Sequence, residues 1–177
     1  MKRILLLCTL LPVLFACRNN SGSGVDSFIG RKITLPQGLE YRSLTDSLCV
    51  APNASLRLVV YIDSECNRCA ARLGEWAARE NEFRQAGDVS ILYYVRAMDF
   101  SRIKWLLRHY GFSSPVFVDP RSDLLYGNGI PETESALHTF LLDEQDRIIL
   151  TGQALASPSL SEHYKQFIRN RSKPSTP

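Results

Sequence analysis

The sequence predicts an α/β three-layer sandwich, a central mixed sheet with helices on both faces. Three observations carry this. Leu56 to Ile62 is a near-continuous apolar run with β-branched residues, the pattern of a strand buried on both faces. Amphipathic stretches and further apolar runs alternate after it, so that strand, helix, strand, helix and strand follow in turn. Two short β runs flanking four polar residues, Asp143-Glu144-Gln145-Asp146, then read as a hairpin before a last helix.

Each element has a local reason. Cys69 to Gln85 places Ala70, Leu73, Trp76, Ala77 and Phe83 three or four apart, which predicts a helix that Gly87 ends. Val89 to Val95 is a second strand. Asp99 or Ser101 can cap a helix running to Tyr110, with Gly111 as its stop. Val116 to Val118, entered from Pro115, is a short strand, and Asp119 to Tyr126 a brief helical turn. Leu137 to Leu142 and Arg147 to Leu150 form the hairpin strands. Ser157-Pro158 supplies a cap and a first-turn proline to a final helix through Ile168.

Chemistry is concentrated at Cys66-Asn67-Arg68-Cys69, where the first apolar run gives way to helix. Two thiols three positions apart on a first helical turn can close a small disulfide. The first lies beside unpaired backbone N–H groups, which favour its thiolate, and Arg68 adds a fixed positive charge. Cys66 is thus the candidate nucleophile and Cys69 its partner. Glu65 and Asp63 bring negative charge that opposes the thiolate.

The start of the chain decides where such chemistry would operate. Lys2 and Arg3 precede a 12-residue apolar stretch, Ile4 to Phe15, too short to span a bilayer and of signal-peptide size. Leu14-Phe15-Ala16-Cys17 closes it and resembles the bacterial lipobox, although Phe15 is bulkier than usual there. That resemblance implies a signal peptide over 1–16, lipidation of Cys17, and attachment to the envelope of a Gram-negative-type bacterium. Residues 17–27, rich in Gly and Ser, read as a tether, 28–170 as one domain, and 171–177 as a frayed tail. Cys8 leaves with the signal. Cys49, between Leu48 and Val50, is expected to be a small buried hydrophobe.

Formal net charge is +3 over 177 residues, and Lys2 and Arg3 fall in the signal, so nucleic acid is not an expected partner. Arg102, Lys104 and Arg108 around Trp105 read as the solvated face of an amphipathic helix.

Three blocks together resemble the thioredoxin-fold superfamily, and within it the TlpA/ResA-like group of membrane-anchored, periplasm-facing thiol:disulfide proteins. They are Tyr61-Ile-Asp-Ser before the cysteine pair, Pro115-Val-Phe-Val-Asp119 with Tyr126-Gly127, and Thr139-Phe-Leu-Leu-Asp143. The resemblance implies a thioredoxin-like fold, attack by Cys66 on a substrate disulfide, resolution by Cys69, protein thiols and disulfides of the envelope as partners, and no cofactor. This chain departs from the family at three places. Glu65 stands where Trp usually precedes the first cysteine, and Leu58 to Ile62 lacks a buried acid. An ungapped alignment places Leu137, with His138 beside it, at the family's cis-proline; a gapped one would use Pro131. A non-proline cis bond costs about 2.5–4 kcal/mol, so Leu137 is expected to be trans.

Two other functions fit the same residues. A non-catalytic binding lipoprotein would retain the fold without turnover, as Glu65 and Leu137 suggest. A copper- or zinc-handling protein would use Cys66, Cys69 and His138 as ligands. A hydrogen-bonded strand histidine is the simpler expectation for His138.

Overall fold

The computed structural model describes residues 24–172. The predicted signal peptide, Cys17 and the last part of the predicted tail lie outside the described residues. Six strands form one sheet: β1 (Tyr41–Arg42), β2 (Leu56–Asp63), β3 (Val89–Arg96), β4 (Val116–Val118), β5 (Thr139–Leu142) and β6 (Ile148–Thr151). Their spatial order is β1-β4-β3-β2-β5-β6. β2 runs parallel to β3 from Leu56↔Val89 to Asp63↔Arg96, and β3 runs parallel to β4; the remaining pairs are antiparallel. The expected mixed sheet is therefore present.

Alternation along β2 divides the core in two. Leu58, Val60 and Ile62 face a cluster containing Leu73, Trp76, Phe83, Ile103, Leu107, Tyr164 and Ile168. These residues come from α2 (Arg72–Arg84), α3 (Phe100–His109) and α5 (Pro158–Ser172), so the three longer helices share one face. Val59 and Tyr61 face the other way, onto Phe28, Ile33, Leu124, Leu125, Ile130 and Leu137. That side is covered by the short α4 (Asp123–Tyr126), by 3-10 turns at Asp26–Phe28 and Ser135–His138, and by the amino-terminal segment.

Several boundaries differ from expectation for identifiable reasons. A short α1 (Asn67–Ala70) precedes α2, because Cys66 itself is the amino-terminal cap and the helix begins two residues early. Leu137 and His138 are not strand residues; they close the 3-10 turn, and β5 starts at Thr139. The final helix continues to Ser172, whose Oγ accepts from Asp88 N–H at 2.9 Å. Residues 24–27 of the predicted tether are described, and Asp26 and Ser27 enter the first 3-10 turn.

Other features match their sequence signals. Asp99 caps α3 by accepting from Arg102 N–H at 3.0 Å, and Gly111 follows with φ +64°. Asp143 Oδ1 accepts from Gln145 and Arg147 N–H at 3.0 and 2.8 Å, which closes the hairpin. β1 gave no sequence signal. It is two residues long and pairs antiparallel with β4 through Tyr41↔Phe117. Behind it Arg42 bridges Leu48, and Cys49 N–H donates to Tyr41 carbonyl at 2.8 Å. At the far side Lys32 bridges Arg147, flanked by Ile148 N–H to Arg31 carbonyl at 3.0 Å and Ile33 N–H to Asp146 carbonyl at 2.8 Å.

Candidate functional site

The cysteine pair sits at the carboxyl end of β2. Ser64, fully buried, fixes the exit of the strand: its N–H donates to Arg96 carbonyl at 3.0 Å. Asp63 turns the chain, accepting from Glu65 N–H at 2.9 Å, and pairs with Arg96 of the neighbouring strand at 3.2 Å. Cys66 then adopts extended backbone (φ −99°, ψ 112°), and Cys69 N–H donates to its Sγ at 3.3 Å. Both thiols are free and partly exposed. This is the dithiol form.

The two sulfurs are displaced in opposite directions. Cys66 is held below the ordinary thiol range, first by the Cys69 thiol as hydrogen-bond donor, then by the backbone N–H groups of Cys69 and Arg68; burial and, more weakly, the Asp63 charge work against them. Burial, together with donation to Cys66, pushes Cys69 up to about 11. Arg68 therefore acts through its backbone amide, where the sequence suggested its guanidinium. The expected opposition from Glu65 is also relocated, because Glu65 is paired with Arg102 at 3.4 Å and Asp63 supplies the residual negative charge.

On the Cys69 side lies a cleft of about 460 Å³ lined by Arg68, Cys69, Arg72, Glu75, Glu132, Ser135, His138, Gln153, Leu155 and Ala156. Arg72 crosses its floor to donate to Thr139 Oγ1 at 3.1 Å. Burial pulls its guanidinium below the usual range. Glu132 is engaged by Tyr126 hydroxyl at 2.8 Å. His138 packs edge-on against Tyr61 at 5.1 Å between ring centroids, and its buried Nε2 has no hydrogen-bond partner. Burial, then the Arg72 charge, lower its pKa from 6.5, so it is neutral at pH 7.

His138 is thus brought to the same cleft as Cys69, though on a turn and not on a strand. Among the described residues no three His, Cys, Asp or Glu side chains converge as a metal-ligating group, so Cys66, Cys69 and His138 do not form the ligand set considered from sequence. Leu137 is fully buried on the other face of the sheet, and the described residues contain no cis peptide bond, at Pro131 or elsewhere. Cys49 departs from the expected burial. It lies half-exposed beside β1, with its thiol donating to Ser47 carbonyl at 3.5 Å. Arg72 and Gln153 escaped sequence reading; the one available signal was the four-residue spacing of Arg68 and Arg72 along a helix.

The strand order, the helix-capping cysteine and the closing hairpin and helix define a thioredoxin-like α/β fold. Solved structures similar to the chain include the thioredoxin domain of a thiol-disulfide oxidoreductase from Bacteroides vulgatus, with TM-score 0.61 and 13% identity over 79% of this chain and 97% of that one. A putative protein disulfide isomerase from Bacteroides thetaiotaomicron is similar with TM-score 0.56 and 13% identity, covering 82% and 91%. A peroxiredoxin Q from Xylella fastidiosa has TM-score 0.56 and 14% identity, covering 82% and 97%. At these identities the likeness is one of fold. No family model matches the chain, and no curated protein matches it.

Proposed function

We propose that the protein is a thiol:disulfide oxidoreductase in which Cys66 is the nucleophile and Cys69 the resolving thiol. The observation that carries this reading is the asymmetry of the pair: a partly exposed Cys66 that caps the helix, accepts from Cys69 N–H at 3.3 Å and is held below the ordinary thiol range, beside a Cys69 that burial pushes up to about 11. Such a pair makes Cys66 the more readily ionised of the two thiols and keeps Cys69 protonated until it is needed. Cys66 thiolate attacks one sulfur of a substrate disulfide, forming a mixed disulfide and releasing the other sulfur as a thiolate. Cys69 loses its proton and attacks Cys66 Sγ; the Cys66–Cys69 bond forms, the mixed bond breaks, and the substrate leaves reduced by two electrons.

The test is redox equilibration of the protein in buffers of graded potential, with alkylation of Cys49, Cys66 and Cys69 read by mass spectrometry. The expected result is a reversible two-electron couple confined to Cys66 and Cys69 above about −300 mV. A pair that stays oxidised below that range would be a structural disulfide and would favour the binding-module reading. Cys69→Ser should accumulate mixed disulfides with client proteins, and Cys66→Ser should not.

The proposal includes location. Lipid on Cys17 would hold the domain to the cell envelope with the cysteine pair facing the periplasm, where disulfides form and persist as substrates for exchange. Among the described residues no helix is long and apolar enough to cross a membrane. Cys17→Ser should move the protein from the membrane to the soluble fraction and abolish incorporation of labelled fatty acid; unchanged partitioning would overturn the anchor.

A further inference from the structure

We infer that the cleft beside Cys69 recognises a carboxylate carried next to the substrate's disulfide, with Arg72 as the residue that receives it. This rests on the exchange activity proposed above and names its substrate class.

Arg68 and Arg72 stand four positions apart, and both line the cleft that Cys69 borders. Among the described residues neither guanidinium forms an ion pair; the other arginines without one, Arg31, Arg108, Arg147 and Arg171, are all exposed, so of this set it is Arg72 that is withdrawn from water. Arg68 is exposed, so water satisfies it. Arg72 is half-buried, and the hydrogen bond its guanidinium makes, to Thr139 Oγ1, goes to a neutral group. A cation partly withdrawn from water, whose one side-chain hydrogen bond goes to a hydroxyl and which Glu75 reaches only through space, has guanidinium donors left for an anion. Its planar fork of donors matches a carboxylate in two parallel hydrogen bonds, and the Thr139 contact holds that fork in place.

The negative groups nearby do not fill this role. Glu132 accepts from the Tyr126 hydroxyl, and Glu75, one turn beyond Arg72, acts on the Arg72 charge through space without forming an ion pair with it. The cleft volume of about 460 Å³ falls within the range of pockets that take a small ligand or a few residues of peptide. Bound there, a carboxylate flanking the cystine would tether the substrate beside the pair, so that its sulfur reaches Cys66 Sγ from the side away from Cys69 and leaves in line when Cys69 attacks. The carboxylate could belong to an acidic side chain flanking a protein cystine or to a low-molecular-weight disulfide such as glutathione disulfide.

The experiment uses the full reduced chain and two cystine peptides that differ only in carrying Glu or Gln beside each cysteine, with glutathione disulfide and its methyl ester as the small-molecule arm. The expected KM is about tenfold lower for the Glu peptide, the worth of a charge-assisted hydrogen bond. Arg72→Gln should erase that ratio and Arg72→Lys should keep part of it. The ratio is the readout because the Arg72 charge also favours the Cys69 thiolate, so its loss affects every disulfide alike. An equal advantage for glutathione disulfide over its ester would assign the cleft to small disulfides as well; an advantage confined to peptides would assign it to protein segments. Equal KM for the two peptides, or a ratio that survives Arg72→Gln, overturns the inference.

Calorimetric titration with the S-methylated Glu and Gln peptides separates this inference from the exchange reading. Tighter binding of the Glu form that depends on Arg72, without any exchange, would sink the activity and keep the cleft. Exchange without a Glu preference in binding would do the reverse.

Discussion

Cys66 and Cys69 are the same residue type three positions apart, and their surroundings alone make them different reagents. Cys69 N–H donates to Cys66 Sγ at 3.3 Å, and the neighbouring Cys69 thiol also favours charge on Cys66, so each proton that Cys69 keeps lowers the cost of charge on its neighbour. Cys69→Ala removes the thiol donor and leaves the amide. The pH midpoint for alkylation of Cys66 should therefore rise in that variant, measured as iodoacetamide rate against pH. His138 makes a second prediction. Its folded pKa lies below 6.5, so the unfolded chain binds the proton more readily. The associated stability is present above about pH 6.5 and is lost as pH falls through the folded value. Denaturant midpoints should decline on acidification over that window, and His138→Leu should flatten the slope.

Elements differ in how firmly local sequence determines them. α4 is only four residues long, and buried Asp119 organises it by accepting from Asp123 N–H at 2.7 Å and Leu124 N–H at 3.0 Å. Asp119→Ala would leave both donors unsatisfied and should cost about 1–3 kcal/mol in chemical denaturation. The long strands were legible because Leu56 to Ile62 and Val89 to Val95 are apolar runs that no surface helix would carry. The helix caps at Asp99 and Ser157 were legible for the same kind of local reason; Ser157 Oγ accepts from Leu160 N–H at 3.2 Å. β1 was not, since two residues carry no period, and its pairing with β4 bridges more than seventy positions of sequence. Leu137-His138 reads as strand because a 3-10 turn and a strand both tolerate one buried residue followed by a half-buried one. The cysteine pair was visible as a motif. The cleft was not, because Arg72, His138 and Gln153 meet only through tertiary packing.

At the scale of the whole molecule, the sulfur chemistry is linked to folding. Stabilising the Cys66 thiolate stabilises the reduced protein, and by thermodynamic linkage it lowers the stability of the oxidised form relative to the reduced one. The thiolate term grows as pH rises through the Cys66 pKa and opposes the constraint that the disulfide places on the unfolded chain, so the midpoint of the reduced form should rise relative to the oxidised one with pH, and Cys69→Ala, which weakens the thiolate, should blunt the rise of its reduced state. A difference between the two midpoints that does not change with pH would mean that the fold is indifferent to the thiolate.

The two outer borders of the sheet have a separate consequence. On one side the chain around Arg31 and Lys32 lies along β6, and on the other the return through Leu48 and Cys49 occupies the free side of a β1 only two residues long. Neither border presents a long row of unpaired amides and carbonyls, which is the template that lets one sheet recruit a strand from another copy. Under the exchange activity proposed for Cys66 and Cys69, a client would be joined to the protein through sulfur, and the covered borders leave little backbone on which it could add a strand.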